Sequence, residues 1–406
     1  MQRGSIVATT VVLGGNFAGL ASALETRRHL GNTDDRIIVI SRAENFLFVP
    51  SLIWVPFRER EIEDISFPVG PILESHGIEF IHAEGTRIDP EASVVHTTKG
   101  DFEFDYLVIA TGPELDWSIP GTGPHAHSHY IGTPPDALAT RAAFERFVDN
   151  PGPVVIGATQ RAGCMGAAYE FLFNFEYHLH KHGIRDKVEL TWITPEPFLG
   201  HFGIGGLPGG ETLLKAFTNH LHIRTVTDVE VDHVDSEQVV LADGTTLPSA
   251  FTMLMPPFLG QKVVRDSPGM GNAKGYVPVE DTYQHKNYPH IFAAGIAIDV
   301  PVPFATPVAV GVPKTGYPAD EAGKTVGENI AHLIKSDARL RERPFTKIPG
   351  LCVMDAGHKE VVILANHLIG PRDFAVMLPD PLFDEGKRLF EKYFLWKTRH
   401  GYSALP

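Results

Sequence analysis

Residues 11–20, VVLGGNFAGL, decide the fold. An apolar run ends in Gly14 and Gly15, and a helical pattern begins at once, NFAGLASALETRRHLG over 16–31. A second apolar strand, RIIVIS, follows at 36–41. Strand, glycine turn, helix and strand in that order form the opening βαβ unit of a dinucleotide-binding fold. Gly14 permits the tight turn and Gly19 lets the helix lie close to the strand. The helix N-terminus then offers a pyrophosphate unpaired N–H groups and a positive dipole. Asn16 stands where a middle glycine is usual, and asparagine tolerates left-handed geometry. Ser41 stands where an acidic residue usually holds ribose hydroxyls, so Ser41 and Arg42 are the expected ribose or phosphate contacts.

Outward from that unit, 77–113 reads as a strand meander returning to the core at YLVIATG, 106–112. A second βα unit begins at GPVVIGA, 152–158, and runs into the helical pattern MGAAYEFLFNFEYHLHKHG, 165–183. The segment 222–244 repeats the alternating character of the first meander, which suggests an internally duplicated module. The class expected is α/β, with two Rossmann-like domains. The boundaries expected are 1–113 with 286–345 for the first domain, 114–285 for the second, and 346–406 for a C-terminal, membrane-associating region. At 406 residues the chain is long enough for such an arrangement. A net charge of -14 without a long basic run argues against nucleic-acid binding. No apolar run reaches the roughly 18 residues of a membrane span, and the N-terminus does not read as a secretory signal. Cys164 and Cys352, the only two cysteines, are too far apart for a local metal clip, so no metal site is expected.

Two further segments point to a flavin. ATGP at 110–113 and FAAG at 292–295 resemble, in order and distance, the ATG and FAxG elements of two-dinucleotide flavoproteins. Thr111, Gly112 and Gly295 are the residues so implied, although Ile296 replaces the usual aspartate. A member using NADH would carry another glycine-rich turn after Ile156. Here that turn is Gly157-Ala158-Thr159-Gln160-Arg161-Ala162-Gly163-Cys164, bulkier and ending in a thiol. Glu196, between two prolines, is the first acidic candidate after the next strand. The nucleotide pocket reads as dismantled.

The segments 48–57 (FVPSLIWVPF), 164–176, 196–207, 306–330, 352–357 and 390–401 together resemble the sulfide:quinone oxidoreductases, in the family's order over nearly the whole chain. That resemblance implies FAD, with Pro50, Lys314, Thr315 and Gly316 joining the cofactor contacts and Lys314 as a cation beside the flavin. It implies that Cys164 and Cys352 shuttle sulfur, with Cys352 facing the flavin and Cys164 carrying a persulfide, or the reverse. His201 matches a histidine near the sulfide entry. Many members have a third cysteine in the segment corresponding to 123–138, often linked to the flavin. Ser128 and Tyr130 occupy that neighbourhood here, so the FAD is expected to be non-covalent.

The segment 381–397 sets Phe383, Leu389, Phe390, Tyr393, Phe394 and Trp396 among Lys387, Arg388, Lys392 and Lys397. Such a helix suits a lipid surface, and by the resemblance quinone enters between Phe374 and Tyr393. Ubiquinone and menaquinone both remain open, as does a homo-oligomer. The expected location is peripheral on the cytoplasmic membrane, with its face open. Truncation from about residue 384 is then expected to leave a soluble flavoprotein that sulfide still bleaches. The competing readings are a sulfide dehydrogenase feeding a cytochrome, a type II NADH dehydrogenase, and a non-catalytic flavin redox sensor.

Overall fold

The computed structural model describes residues 7–337, 339–357, 359–380 and 385–405. Phe383 of the anticipated aromatic face lies outside them. Two parallel sheets form the centre. The first runs Ile291–Ala293, Tyr106–Ile109, Thr9–Leu13, Arg36–Ser41, Glu79–His82, with every neighbour parallel. The second runs Arg224–Val226, Leu190–Ile193, Val154–Ala158, Phe251–Met255, again all parallel. Their central strands are Val-, Ile- and Leu-rich runs buried on both faces, as helix-covered parallel sheets require, while the edge strands Glu79–His82 and Arg224–Val226 are partly exposed.

Each sheet carries a three-stranded antiparallel meander, over 85–103 and 231–248. The duplication suggested by the sequence is visible in this repetition. The meanders are shorter than expected, because Glu79–His82 and Arg224–Val226 join the parallel sheets instead. Both segments are short with mixed character, and pattern alone does not separate an edge strand from a meander strand.

The glycine turn is enforced by close approach. Gly14 has φ of 114°, and a Cβ there would sit 2.2 Å from the Ala110 carbonyl oxygen. A Cβ on Gly19 would lie 2.0 Å from the Gly14 oxygen. The helix Phe17–Leu30 thereby starts directly over the strand ends, beside the helix Gly316–Ile334, whose Gly316 abuts the Phe17 ring.

The remainder is a three-stranded antiparallel sheet, Gly350–Asp355, Glu360–Ala365 and Ala375–Asp380, followed by the helix Gly386–Arg399. This helix corrects the expectation of a separable membrane element. Phe394 is buried against Phe17, Phe46 and Phe48, at centroid distances of 5.2, 6.2 and 5.4 Å. Lys387, Glu391 and Lys397 also face inward. Lys387 pairs with Glu170 at 2.5 Å, Glu391 accepts from Ser51 and Arg60, and Lys397 reaches Asp320 at 3.1 Å. Removing these residues would strand several buried charges, so a truncated protein would not retain the rest of the fold unchanged. Amphipathicity showed that the helix had two faces but not what covers each of them.

Candidate active site

The nucleotide end is built by the turn after the first strand. Asn16 caps the first helix with φ of -105°, so it needs no left-handed geometry, contrary to expectation. Its amide donates to the Leu47 carbonyl at 3.2 Å, while its Oδ1 is buried without a partner. The hydroxyl of Thr111 is likewise buried and unpaired among the described residues. Buried polar atoms are seldom left unsatisfied, and two such atoms beside a helix N-terminus fit a dinucleotide. Gly112 and Gly295 both adopt φ of 70° at the ends of adjacent strands of the same sheet. The Ser41 hydroxyl donates to Ala43 O at 2.8 Å, and Arg42 lies exposed, 3.5 Å from Glu84. Pro50 lies in the 3-10 helix Val49–Phe57, and Thr315 caps the helix that begins at Gly316. This cradle fits FAD.

The thiol end is built by a strand-to-helix turn and a hairpin strand. Cys164 precedes the helix Met165–Lys181, and Cys352 lies within Gly350–Asp355. Glu170 joins the two elements by accepting from the Asp355 N–H at 2.9 Å and from the Lys387 ammonium. Asp355 in turn accepts from Trp54 Nε1 at 2.6 Å. Cys164 is partly accessible and Cys352 exposed, and both are free thiols. Burial pushes their pKa up to about 11 and about 12. Each thiol feels the charges of Glu170 and Lys387, and Cys352 also feels Cys164. The structure thus brings the two cysteines, 188 positions apart (352 − 164), into one charged neighbourhood.

His201 is buried, not a surface residue of a glycine loop. Its ring stands edge-on to Phe198 and Phe304, 5.3 and 5.1 Å away, and burial lowers its pKa. Glu196 is wholly buried. Its carboxylate accepts from Tyr169 at 2.8 Å, Thr194 at 2.8 Å and the Phe202 N–H at 2.6 Å, which fixes the loop that carries His201. A carboxylate so occupied is not available to a nucleotide ribose. Lys314 is buried too, donating to Ile298 O at 2.7 Å over the Tyr276 ring at 3.5 Å, and burial pushes it down to about 7. It lines a cleft of about 630 Å³ that also reaches Gly163 and Phe304, next to Cys164 and His201.

Phe374 is 52% exposed beside the last hairpin strand. Tyr393 is half-buried on the final helix, its ring 6.3 Å from Trp396. Leu378, Leu389 and Trp396 are exposed on the same two elements. Among the described residues no helix is long and apolar enough to cross a membrane.

The sequence reading undervalued three residues. Lys387 reads in sequence only as one of the basic residues among the aromatics of 381–397, and no motif marks Glu170 or Trp54. The available signal was Lys387, Glu391, Phe394, Leu395 and Thr398, an i, i+4, i+7, i+8, i+11 stripe mixing charges with core residues. Charges of both signs on a core-facing stripe imply buried partners.

The pyridine nucleotide-disulphide oxidoreductase family model matches residues 8–312. The sulfide-quinone reductase of Aquifex aeolicus is 36% identical over 96% of this chain and 91% of that protein. The crystal structure of the sulfide:quinone oxidoreductase from Aquifex aeolicus superposes with a TM-score of 0.92, covering 97% of this chain and 92% of that one. A type II NADH:quinone oxidoreductase of Staphylococcus aureus is 25% identical over 81% of this chain and 83% of its own. With the glycine cradle, the two thiols in one charged neighbourhood and the occupied Glu196 carboxylate in one frame, the chain belongs to the sulfide:quinone oxidoreductases, within the pyridine nucleotide-disulphide oxidoreductase family.

Proposed function

We propose that this flavoenzyme oxidises sulfide at Cys164 and Cys352 and passes the electrons through FAD to a membrane quinone. The observation that carries the reading is the joining of the two cysteine-bearing elements through Glu170, Lys387 and Asp355. Hydrosulfide attacks the oxidised Cys164–Cys352 bridge, whose S–S bond breaks as a new one forms, leaving a persulfide on Cys164 and a thiolate on Cys352. Closure of the bridge, now one sulfur longer, releases a proton and two electrons. Bound FAD supplies the two-electron sink, which the quinone then drains. His201, whose pKa burial lowers, takes the proton from hydrogen sulfide. Lys314, pushed down to about 7 by burial, would be drawn back to its charged form by negative charge on a reduced cofactor beside it.

Gly14, Asn16, Gly19, Thr111, Gly112, Gly295 and Gly316 hold the FAD without a covalent bond, because both cysteines serve the sulfur chemistry. The exposed Phe374, Leu378, Leu389 and Trp396 support docking to a lipid surface, with quinone entering beside Phe374 and Tyr393. Anaerobic addition of sulfide should bleach the flavin, and a soluble quinone should restore its colour over many cycles. Bleaching without catalytic reoxidation would favour a redox sensor. Bleaching by NADH, which the engagement of Glu196 argues against, would favour a dehydrogenase.

A further inference from the structure

The loop that carries His201 is held by a residue far along the chain. Arg372 lies half-buried in the turn between the strands Glu360–Ala365 and Ala375–Asp380. Its guanidinium donates to four backbone carbonyls. Two belong to its own turn, His367 O at 2.9 Å and Leu368 O. The other two belong to the His201 loop, Ile204 O at 2.9 Å and Gly206 O at 3.0 Å. The N–H groups of those same two residues both donate to the His201 carbonyl, each at 3.0 Å. The Gly203 N–H donates to His201 Nδ1 at 3.2 Å, which fixes the ring against its own loop. A planar fork with several donors in fixed geometry suits such a tie, and a lysine would not reproduce it.

Both ends of the tie are anchored. In the turn, Asn366 accepts from the Phe374 N–H at 3.2 Å and donates to Asp373 at 3.3 Å, while the Leu368 N–H donates to Ile348 O at 2.7 Å. The loop rests on the thiol site. A Cβ on Gly203 would sit 1.8 Å from Gly311 O and 3.1 Å from the Met165 methyl, one residue from Cys164. Phe202 holds φ of 52°, a left-handed conformation that a bulky residue keeps only where its surroundings enforce it. Glu196 grips the loop from one side through the Phe202 N–H at 2.6 Å, and Arg372 grips it from the other. We propose that Arg372 is a positioning residue for His201, holding the loop from 200 to 206 so that the imidazole meets hydrogen sulfide beside Cys164. Burial lowers the Arg372 pKa, but a guanidinium stays charged at any working pH, so the tie itself does not titrate.

Stopped-flow bleaching of the FAD-loaded enzyme by sulfide, without oxygen or quinone, tests this. Arg372→Ala should lower the limiting bleaching rate about ten-fold, since a misplacement near 1 Å can cost up to roughly 100-fold. The deficit should shrink as pH rises, because hydrosulfide formed in solution needs no base. In a His201→Ala background Arg372→Ala should cost little more, as residues acting through one group are not additive. A tie that only stabilises the fold would cost the same at every pH and in both backgrounds. An unchanged rate in Arg372→Ala, a deficit constant with pH, or a full further loss in the His201→Ala background overturns the proposal. Should Arg372→Ala not fold, Arg372→Lys, which keeps the charge without the fork, decides by the same three measurements. The inference rests on His201 as the base, and failure of that reading would show separately, as wild-type bleaching at acidic pH in His201→Ala.

Discussion

Lys387→Met tests the charged centre of the site most directly. The Lys387 ammonium lies 2.5 Å from Glu170, with the two side chains only 3% and 9% exposed. At an effective dielectric constant of about 20, two unit charges at that separation attract by roughly 6–7 kcal/mol before desolvation is counted. Removing one partner of a buried pair typically costs about 3–5 kcal/mol, because the other charge stays buried. Methionine keeps the aliphatic length beside Trp54, so packing loss is small. Glu170, whose pKa burial already raises, loses the cation that opposes the rise. In the variant its folded pKa therefore lies further above the unfolded value. Its contribution is complete below the unfolded carboxyl pKa and is lost as pH climbs through the folded one. The deficit relative to wild type should be smallest near pH 5 and grow towards pH 8. Urea unfolding of the FAD-loaded protein across that range measures it. A Glu170→Gln, Lys387→Met double variant should recover much of the loss, since neither charge remains. A single variant that loses less than about 1 kcal/mol with no pH trend would refute the buried pair.

Cys164→Ser and Cys352→Ser should each abolish sulfide-dependent quinone reduction while retaining flavin, since the phosphate cradle at Gly14 involves neither thiol. Near wild-type turnover in either variant would end the paired-thiol mechanism. Acid precipitation should release all the yellow colour into the supernatant, whereas colour remaining with the protein would mean a covalent flavin. Leu389→Ser with Trp396→Ser removes two exposed apolar side chains and leaves the Lys387, Glu391 and Lys397 contacts intact. Co-sedimentation with liposomes should fall several-fold while sulfide bleaching is preserved, and undiminished sedimentation would place the membrane contact elsewhere.

What was legible in the sequence was whatever is local. The turn at Gly14 to Gly19 needs its residue types because backbone passes within van der Waals contact of backbone, and that requirement is written at fixed spacing. The setting of Glu196 is local too, since its carboxylate closes one loop upon itself through Thr194 and Phe202. Partnership across the chain was not legible. Glu170 and Lys387 stand 217 positions apart, and Trp54 and Asp355 301 apart, and no periodicity relates them.

The final helix shows how that blindness bears on function. Read by its pattern, it was an anchor added to a finished enzyme. Folded, its inward stripe supplies the cation whose charge both thiols feel, the carboxylate that Ser51 and Arg60 engage, and Phe394 against the first residue of the first helix. Only Leu389 and Trp396 among its large apolar residues remain exposed. One element therefore faces the sulfur site with its buried side and, by the membrane proposal, lipid with the other. Its outward residues should affect partitioning alone, whereas its inward residues should affect stability and thiol ionisation together. Substitutions on the two faces, with thiol ionisation and liposome binding measured on the same proteins, separate these roles. Equal effects on both properties from either face would mean that the helix moves as a unit on docking, and that the two ends of the reaction are mechanically coupled.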